Sequence, residues 1–209
     1  MSLSLNEVEG LAKKAARGTG YPWGLAEEAA KASRWLAARG VDGCAALATL
    51  LNMADGQDLA AWRPVPGDVW APPGGHLCPV TAGASLADGL VDLREKAVTM
   101  AGVVSPVLLL PFAAQVAASH NALVKVRWHN GSAVTDGDIL SLEGSVPEVA
   151  EQVTLAVGGE ITVPRAPCSR LTPPDETKAC LERFAHRTYA PATEESRLKG
   201  AGAGLSDND

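Results

Sequence analysis

The chain has 209 residues, 46 % of them hydrophobic and 20 % charged, with 18 Lys and Arg against 24 Asp and Glu for a net charge of -6. That balance excludes a disordered acidic chain, a collagen-like repeat and a disulfide scaffold. It offers no general attraction to nucleic acid or anionic lipid, so neither is expected as a partner. At about 150 residues per domain the length implies one domain over 1–189, with 190–209 as an extended C-terminal tail. Four cysteines (Cys44, Cys78, Cys168 and Cys180) without a CxxC pattern are too sparse for a disulfide framework and read as reduced thiols. Residues 1–7 have neither a basic stretch nor an apolar run, so a cytoplasmic location is expected.

In chain order, Ser4 and Glu7 form a capping-box pattern that starts a first helix, with Leu3 and Val8 placed as a hydrophobic staple. Val8, Leu11, Ala12 and Ala15 repeat at helical spacing, and Arg17-Gly18 ends the run. After a turn over 19–24, a second helix turns Leu25, Ala29, Ala32 and Leu36 inward. Glu27 and Lys31 stand at i,i+4 on it, the favoured order for an ion pair, and Gly40 ends it. Asp42 then caps a third helix over 44–53, with Cys44, Leu47, Ala48 and Leu51 inward. Residues 1–53 therefore read as a three-helix unit with tight turns.

Prolines and glycines exclude regular structure over 54–80. This loop carries Trp62 and Trp70, and is either functional or a connector packing its tryptophans on the core. Residues 81–164 read as sheet: strands at 98–104 and 107–110, a short helix at 112–119 and a half-buried strand at 123–128. Turns follow at Asn130-Gly131 and Asp136-Gly137, and Gly158-Gly159 is read as a third hairpin between 153–157 and 161–163. Residues 97–124 are long enough to span a membrane and lack formal charge apart from the titratable His120, but Pro106, Pro111, Gln115 and Asn121 divide them, so buried core is expected. A Pro-rich stretch at 165–174 precedes a last helix over 175–187 with Leu181 and Phe184 inward. The expected fold is α+β. An N-terminal three-helix unit packs on a mainly antiparallel sheet of five to seven strands, with a C-terminal helix and extended tail.

Several runs of residues carry a resemblance: 4–9 (SLNEVE), 14–18 (KAARG), 24–28 (GLAEE), 81–88 (TAGASLAD) and 189–197 (YAPATEESR). Together they resemble, over nearly the whole chain, a bacterial family catalogued as domain of unknown function 3726, which brings no activity with it. A fainter resemblance covers about twenty residues. Ala26-Glu27 and Arg39-Gly40-Val41-Asp42 are similar to the N-terminal helices of the malate/lactate dehydrogenase-like family that lacks a Rossmann fold. There the run continues Ser-His-Gly, with the His in the active site; here it continues Gly43-Cys44-Ala45, in a much shorter chain.

Four features could carry chemistry. The Arg17-Gly18-Thr19-Gly20 turn either offers backbone amides and a guanidinium to an anion or is a tight helix–helix turn. His76, Cys78, Cys168, Cys180 and His186 are zinc-type ligands at spacings that match no standard site, so no metal is expected. Cys44 at a helix start would have a lowered pKa, or else is a small apolar core residue. The tail, with Arg197, Lys199 and alternating glycines, either closes over an anionic ligand or is flexible.

Two functional readings follow. In the first, the chain is a small-molecule metabolic enzyme or accessory subunit acting on an anionic metabolite, at a site where the 54–80 loop, the Arg17 turn and the tail meet. Arg17, Arg187 and Arg197 would hold carboxylate or phosphate, with Cys44 or His76 as the reactive group. In the second, the chain is a non-catalytic oligomeric scaffold with an exchanged C-terminal arm; a homo-oligomer is expected. The residues specify no cofactor.

Overall fold

The computed structural model describes residues 2–189. A two-residue strand β1 (Leu3–Ser4) leads into α1 (Leu5–Gly18). The Ser4 hydroxyl accepts the Glu7 amide, and the Glu7 carboxylate accepts the Ser4 amide at 2.7 Å, so the expected capping box is formed. α2 (Trp23–Ala37) and α3 (Gly43–Ala54) follow, the latter capped by Asp42, whose carboxylate accepts the Ala45 amide at 2.9 Å. The expected Glu27–Lys31 pair on α2 is replaced. Lys13 of α1 reaches Glu27 at 2.7 Å, and Lys31 turns to Glu28 at 2.8 Å. An interhelical partner thus displaces the local one.

The loop after α3 holds one short strand, β2 (Val69–Trp70), which buries Trp70. Residues 79–80, expected in the irregular loop, and 81–87, expected within the sheet region, form helix α4 (Pro79–Ala87) instead. Pro79 sits at its first position, where the missing N–H costs nothing. Strand β3 (Val98–Val104) is as expected, but 107–110 is not a strand: Ser105 adopts a left-handed conformation at φ 42°, and Pro106–Leu109 form a 3-10 turn into α5 (Leu110–His120). The uncharged 97–124 stretch is therefore divided among short elements, and among the described residues no helix is long and apolar enough to cross a membrane.

β4 (Val124–Trp128) buries Val124, Val126 and Trp128 and exposes Lys125 and Arg127, the alternation of a half-buried strand. It turns through His129-Asn130 into β5 (Gly131–Thr135), which turns through 136–139 into β6 (Leu140–Gly144). β7 (Val149–Val157) inserts between β3 and β4, giving a six-stranded sheet of order β2-β3-β7-β4-β5-β6. All neighbours are antiparallel except β2 and β3.

The Gly158-Gly159 hairpin is overturned. Both edges of β7 are already paired, so 161–163 has no strand to join. The two glycines, at φ 115° and 101°, instead carry the chain across the sheet. There the Thr162 hydroxyl meets Ser141 at 3.0 Å, and Pro164 bridges to Ser141 of β6.

Finally β8 (Arg170–Leu171) pairs with β1, and α6 (Asp175–His186) follows. α5 packs on β4 and β5 and also touches α2 and α4, linking sheet to helices. α6 joins α1 and α3, so the N-terminal unit is closed by a fourth helix from the other end of the chain.

The connection between α4 and β3 is held by Asp92. Its carboxylate accepts the Arg94 guanidinium at 2.6 Å and the Arg94 amide at 2.9 Å. The side-chain hydrogen bond from Arg94, and then its backbone amide, hold the Asp92 carboxyl down at about 2 against an ordinary 3.8. A depressed carboxylate contributes stability above its unfolded pKa and loses it as pH falls through the folded one. Asp92 therefore contributes fully above pH 4 and progressively less toward pH 2. Thermal midpoints measured from pH 5 to pH 2 should fall less for Asp92→Asn than for the native chain, the two converging at the acid end. Parallel losses across that range would remove Asp92 from the acid response.

Candidate functional site

The α1–α2 turn decides the first expectation. Its amides are consumed by the end of α1: Thr19 N–H by Ala15 and Ala16, Gly20 N–H by Arg17, Tyr21 N–H by Ala16. Both glycines have steric reasons. A Cβ on Gly18 would lie 1.8 Å from the Phe184 carbonyl oxygen of α6, and Gly20 sits at φ 106°. The segment is thus the tight helix–helix turn, with no amide left for an anion. Arg17 itself donates to the Tyr21 carbonyl and lies over the Trp23 ring at 4.5 Å.

Of the other expected residues, Arg187 stays beside this turn, its Cβ 3.4 Å from where a Cβ on Gly18 would lie. Arg187 forms a two-pronged pair with Asp55, at 2.6 and 2.9 Å, just past the end of α3. That bridge lowers the Asp55 carboxyl and raises the Arg187 guanidinium, so this arginine is already neutralised. Cys44 lies in the first turn of α3 and is fully buried. Burial, helped by the Asp42 carboxylate, pushes its thiol up to about 12. Of the two readings of Cys44, the small apolar core residue fits and the lowered thiol does not, because desolvation outweighs any effect of the helix start. The eleven steps from Cys44 to Asp55, at about 1.5 Å each along the helix, hold the two about 16 Å apart. His76 is half-buried with its ring edge-on to Trp62 at 5.6 Å. Arg197 lies outside the described residues. Among the described residues no three His, Cys, Asp or Glu side chains gather to hold a metal.

The expected meeting of the 54–80 loop with the Arg17 turn does occur, in a different form. The Tyr21 hydroxyl and the Cys78 thiol meet at 3.3 Å in a buried pair, and burial pushes the phenol well above its ordinary range. Beside them Leu25, Leu59 and Arg63 line a pit of about 20 Å³. That is room for one water, not for a metabolite.

A cleft of ligand size lies elsewhere, between α1 and α6, with a volume of about 470 Å³. The β1–β8 pair joins the starts of the two helices, and Gly18 against Phe184 joins their ends, so they run in the same direction. Leu3 of β1 and Glu7, Gly10, Leu11 and Lys14, spaced three or four apart on one face of α1, form one wall. Lys178, Glu182, Ala185, His186 and Tyr189 form the other. Gly10 lies within α1, where glycine costs about 0.5–1 kcal/mol relative to alanine. A Cβ there would meet nothing within 4 Å, so no neighbour demands the glycine; its effect is to keep the cleft floor open.

The charges of the cleft are unevenly used. Glu7 is engaged by the capping box, which lowers its pKa, and Glu182 pairs with Lys178 at 3.1 Å. Lys14 stands over the Tyr189 ring at 5.5 Å, and His186 meets the same ring edge-on at 5.2 Å. Among the described residues no carboxylate pairs with Lys14. The arrangement suits an anionic molecule with a small apolar body, its charge at Lys14 and its body over Gly10 and Leu11. Lys14 and Tyr189 are not singled out by the sequence as site residues, and His186 is read there only as a zinc-type ligand. The one local signal was the unexplained Gly10 inside an otherwise regular amphipathic helix.

No curated protein matches the sequence. Among solved structures, the chain is similar to malate dehydrogenase from Pyrococcus horikoshii OT3, at 10 % identity and a TM-score of 0.48, over 69 % of this chain and 50 % of that one. It is also similar to malate dehydrogenase from Entamoeba histolytica, at 9 % identity and a TM-score of 0.44, over 72 % and 49 %. The likeness is too distant to bring chemistry with it. The chain spans about half the length of these enzymes. Residues 81–88 and 189–197, which also carry the family resemblance, lie beyond the segment matched by the family profile. That segment, residues 3–75, covers α1, α2, α3 and most of the loop after them, and it matches the family described as protein of unknown function (DUF3726).

Proposed function

We propose that the chain binds a small anionic molecule in the α1–α6 cleft, as a binding or accessory protein. The observation that carries this reading is the open cleft over Gly10 with Lys14, which among the described residues pairs with no carboxylate. The accessory role is favoured over a catalytic one because both expected reactive groups lie outside the cleft lining: Cys44 is buried with a raised pKa, and His76 packs on Trp62.

The test is thermal stability of the full chain titrated with inorganic phosphate, succinate and citrate. A ligand at a hundredfold excess over its Kd should stabilise by about 2.7 kcal/mol. Lys14→Gln should weaken the effective ligand about tenfold, the loss of one charge-assisted contact. Gly10→Leu should abolish the response by filling the cleft floor. It replaces glycine with a strong helix former, so it should not lower the stability of the unliganded chain. Absence of stabilisation by all three anions, or an unchanged response in Gly10→Leu, would remove the cleft as the binding site.

A further inference from the structure

We infer that the surface around Trp23 docks an acidic segment of a partner protein. Trp23 opens α2 and leaves 63 % of its surface in water. Arg17 lies over its ring at 4.5 Å and Lys13 at 5.6 Å. Arg63 stands beside the same corner, on the rim of the pit next to Pro22 and Leu25. Lys13 is paired with Glu27, whereas among the described residues no carboxylate pairs with Arg17 or Arg63. On a chain of net charge -6, this is a local reversal of sign around an exposed indole.

The geometry favours a polypeptide. The pit is too small for a metabolite, and the exposed ring opens directly to solvent. Trp and Arg are the residue types that dominate protein interface energetics. Arg17 is already held by the Tyr21 carbonyl and the indole, so little side-chain freedom is lost on docking. A nucleic acid strand fits less well, since Arg17 and Arg63 make no continuous track and the remaining charge of the chain repels a polyanion. The fitting occupant is a segment that sets an apolar side chain on Trp23 and carboxylates on Arg17 and Arg63.

The test is calorimetric titration of the full chain with a short peptide of alternating Leu and Glu. Saturable binding that weakens as salt is raised is expected. Trp23→Ala should weaken it about thirtyfold, the effect of removing a central anchor. Arg17→Gln and Arg63→Gln should each weaken it severalfold. Trp23 and Arg63 do not line the α1–α6 cleft, so Trp23→Ala and Arg63→Gln should keep the phosphate and carboxylate responses, and the two proposals fail independently. No saturable binding, or equal binding by Trp23→Ala, overturns the inference. Tighter binding of oligothymidylate than of the peptide would overturn it in favour of a nucleic acid. A sedimentation change of the chain alone on Trp23→Ala would overturn it in favour of self-association.

Discussion

Gly18→Ala is expected to lower stability to unfolding by about 3 kcal/mol, the upper part of the range for overpacking. The new methyl would lie 1.8 Å from the Phe184 carbonyl oxygen and 2.7 Å from its carbon. A side chain could rotate away from such a contact; a backbone carbonyl inside α6 cannot. The whole helix must lift, and with it the fully buried Leu181 and Phe184 and the Arg187–Asp55 bridge. Lifting α6 also displaces one wall of the cleft. Any anion that stabilises the native chain should therefore bind more weakly to this variant. Urea unfolding of the two chains checks the first effect, and titration of the variant checks the second. A midpoint within experimental error of the native one would show that α6 yields freely, and would remove the argument that a close backbone approach sets the position of the cleft wall.

The second large effect is at the α4–α5 contact, where Gly83 faces Phe112. Phe112→Ala removes a fully buried ring and should cost about 3–5 kcal/mol. Gly83→Ala would place its Cβ 2.2 Å from the ring and should cost about 1–3 kcal/mol. The double variant should cost less than the two together by about 1–2 kcal/mol, because the methyl enters the space the ring vacates. Four urea unfolding curves decide it. Strict additivity would mean that the two positions do not share the space the structure gives them.

Features readable along the chain are those whose partners lie a few residues away. The Ser4–Glu7 box and the Asp42 cap each close over three residues, so they form as expected. The alternation in β4 and the turn at Asn130 are equally local. Residues 79–87 were harder. An apolar run rich in alanine and glycine has no decisive period, and it becomes a helix because Pro79 starts one and Phe112 closes over Gly83. The 161–163 segment has strand-forming residues, yet strand formation needs a free edge, and β3 and β4 occupy both edges of β7.

The candidate site divides along the same line. Arginine suits anions, but Asp55, over a hundred residues earlier, takes the charge of Arg187. A helix start lowers a thiol pKa, but burial of Cys44 raises it further, and burial depends on the assembled fold. The α1–α6 cleft needs two helices from opposite ends of the chain, brought together by β1–β8 pairing and by the absence of a side chain at Gly18. By itself, then, the sequence determined the α+β class, the helix caps, the turns at Asn130 and Asp136 and the resemblance to a family without assigned activity. Only the tertiary structure decided which cations remain unpaired, which thiols are buried and where a ligand-sized space opens. These depend on desolvation and on contacts between distant segments, and no spacing along the chain encodes either.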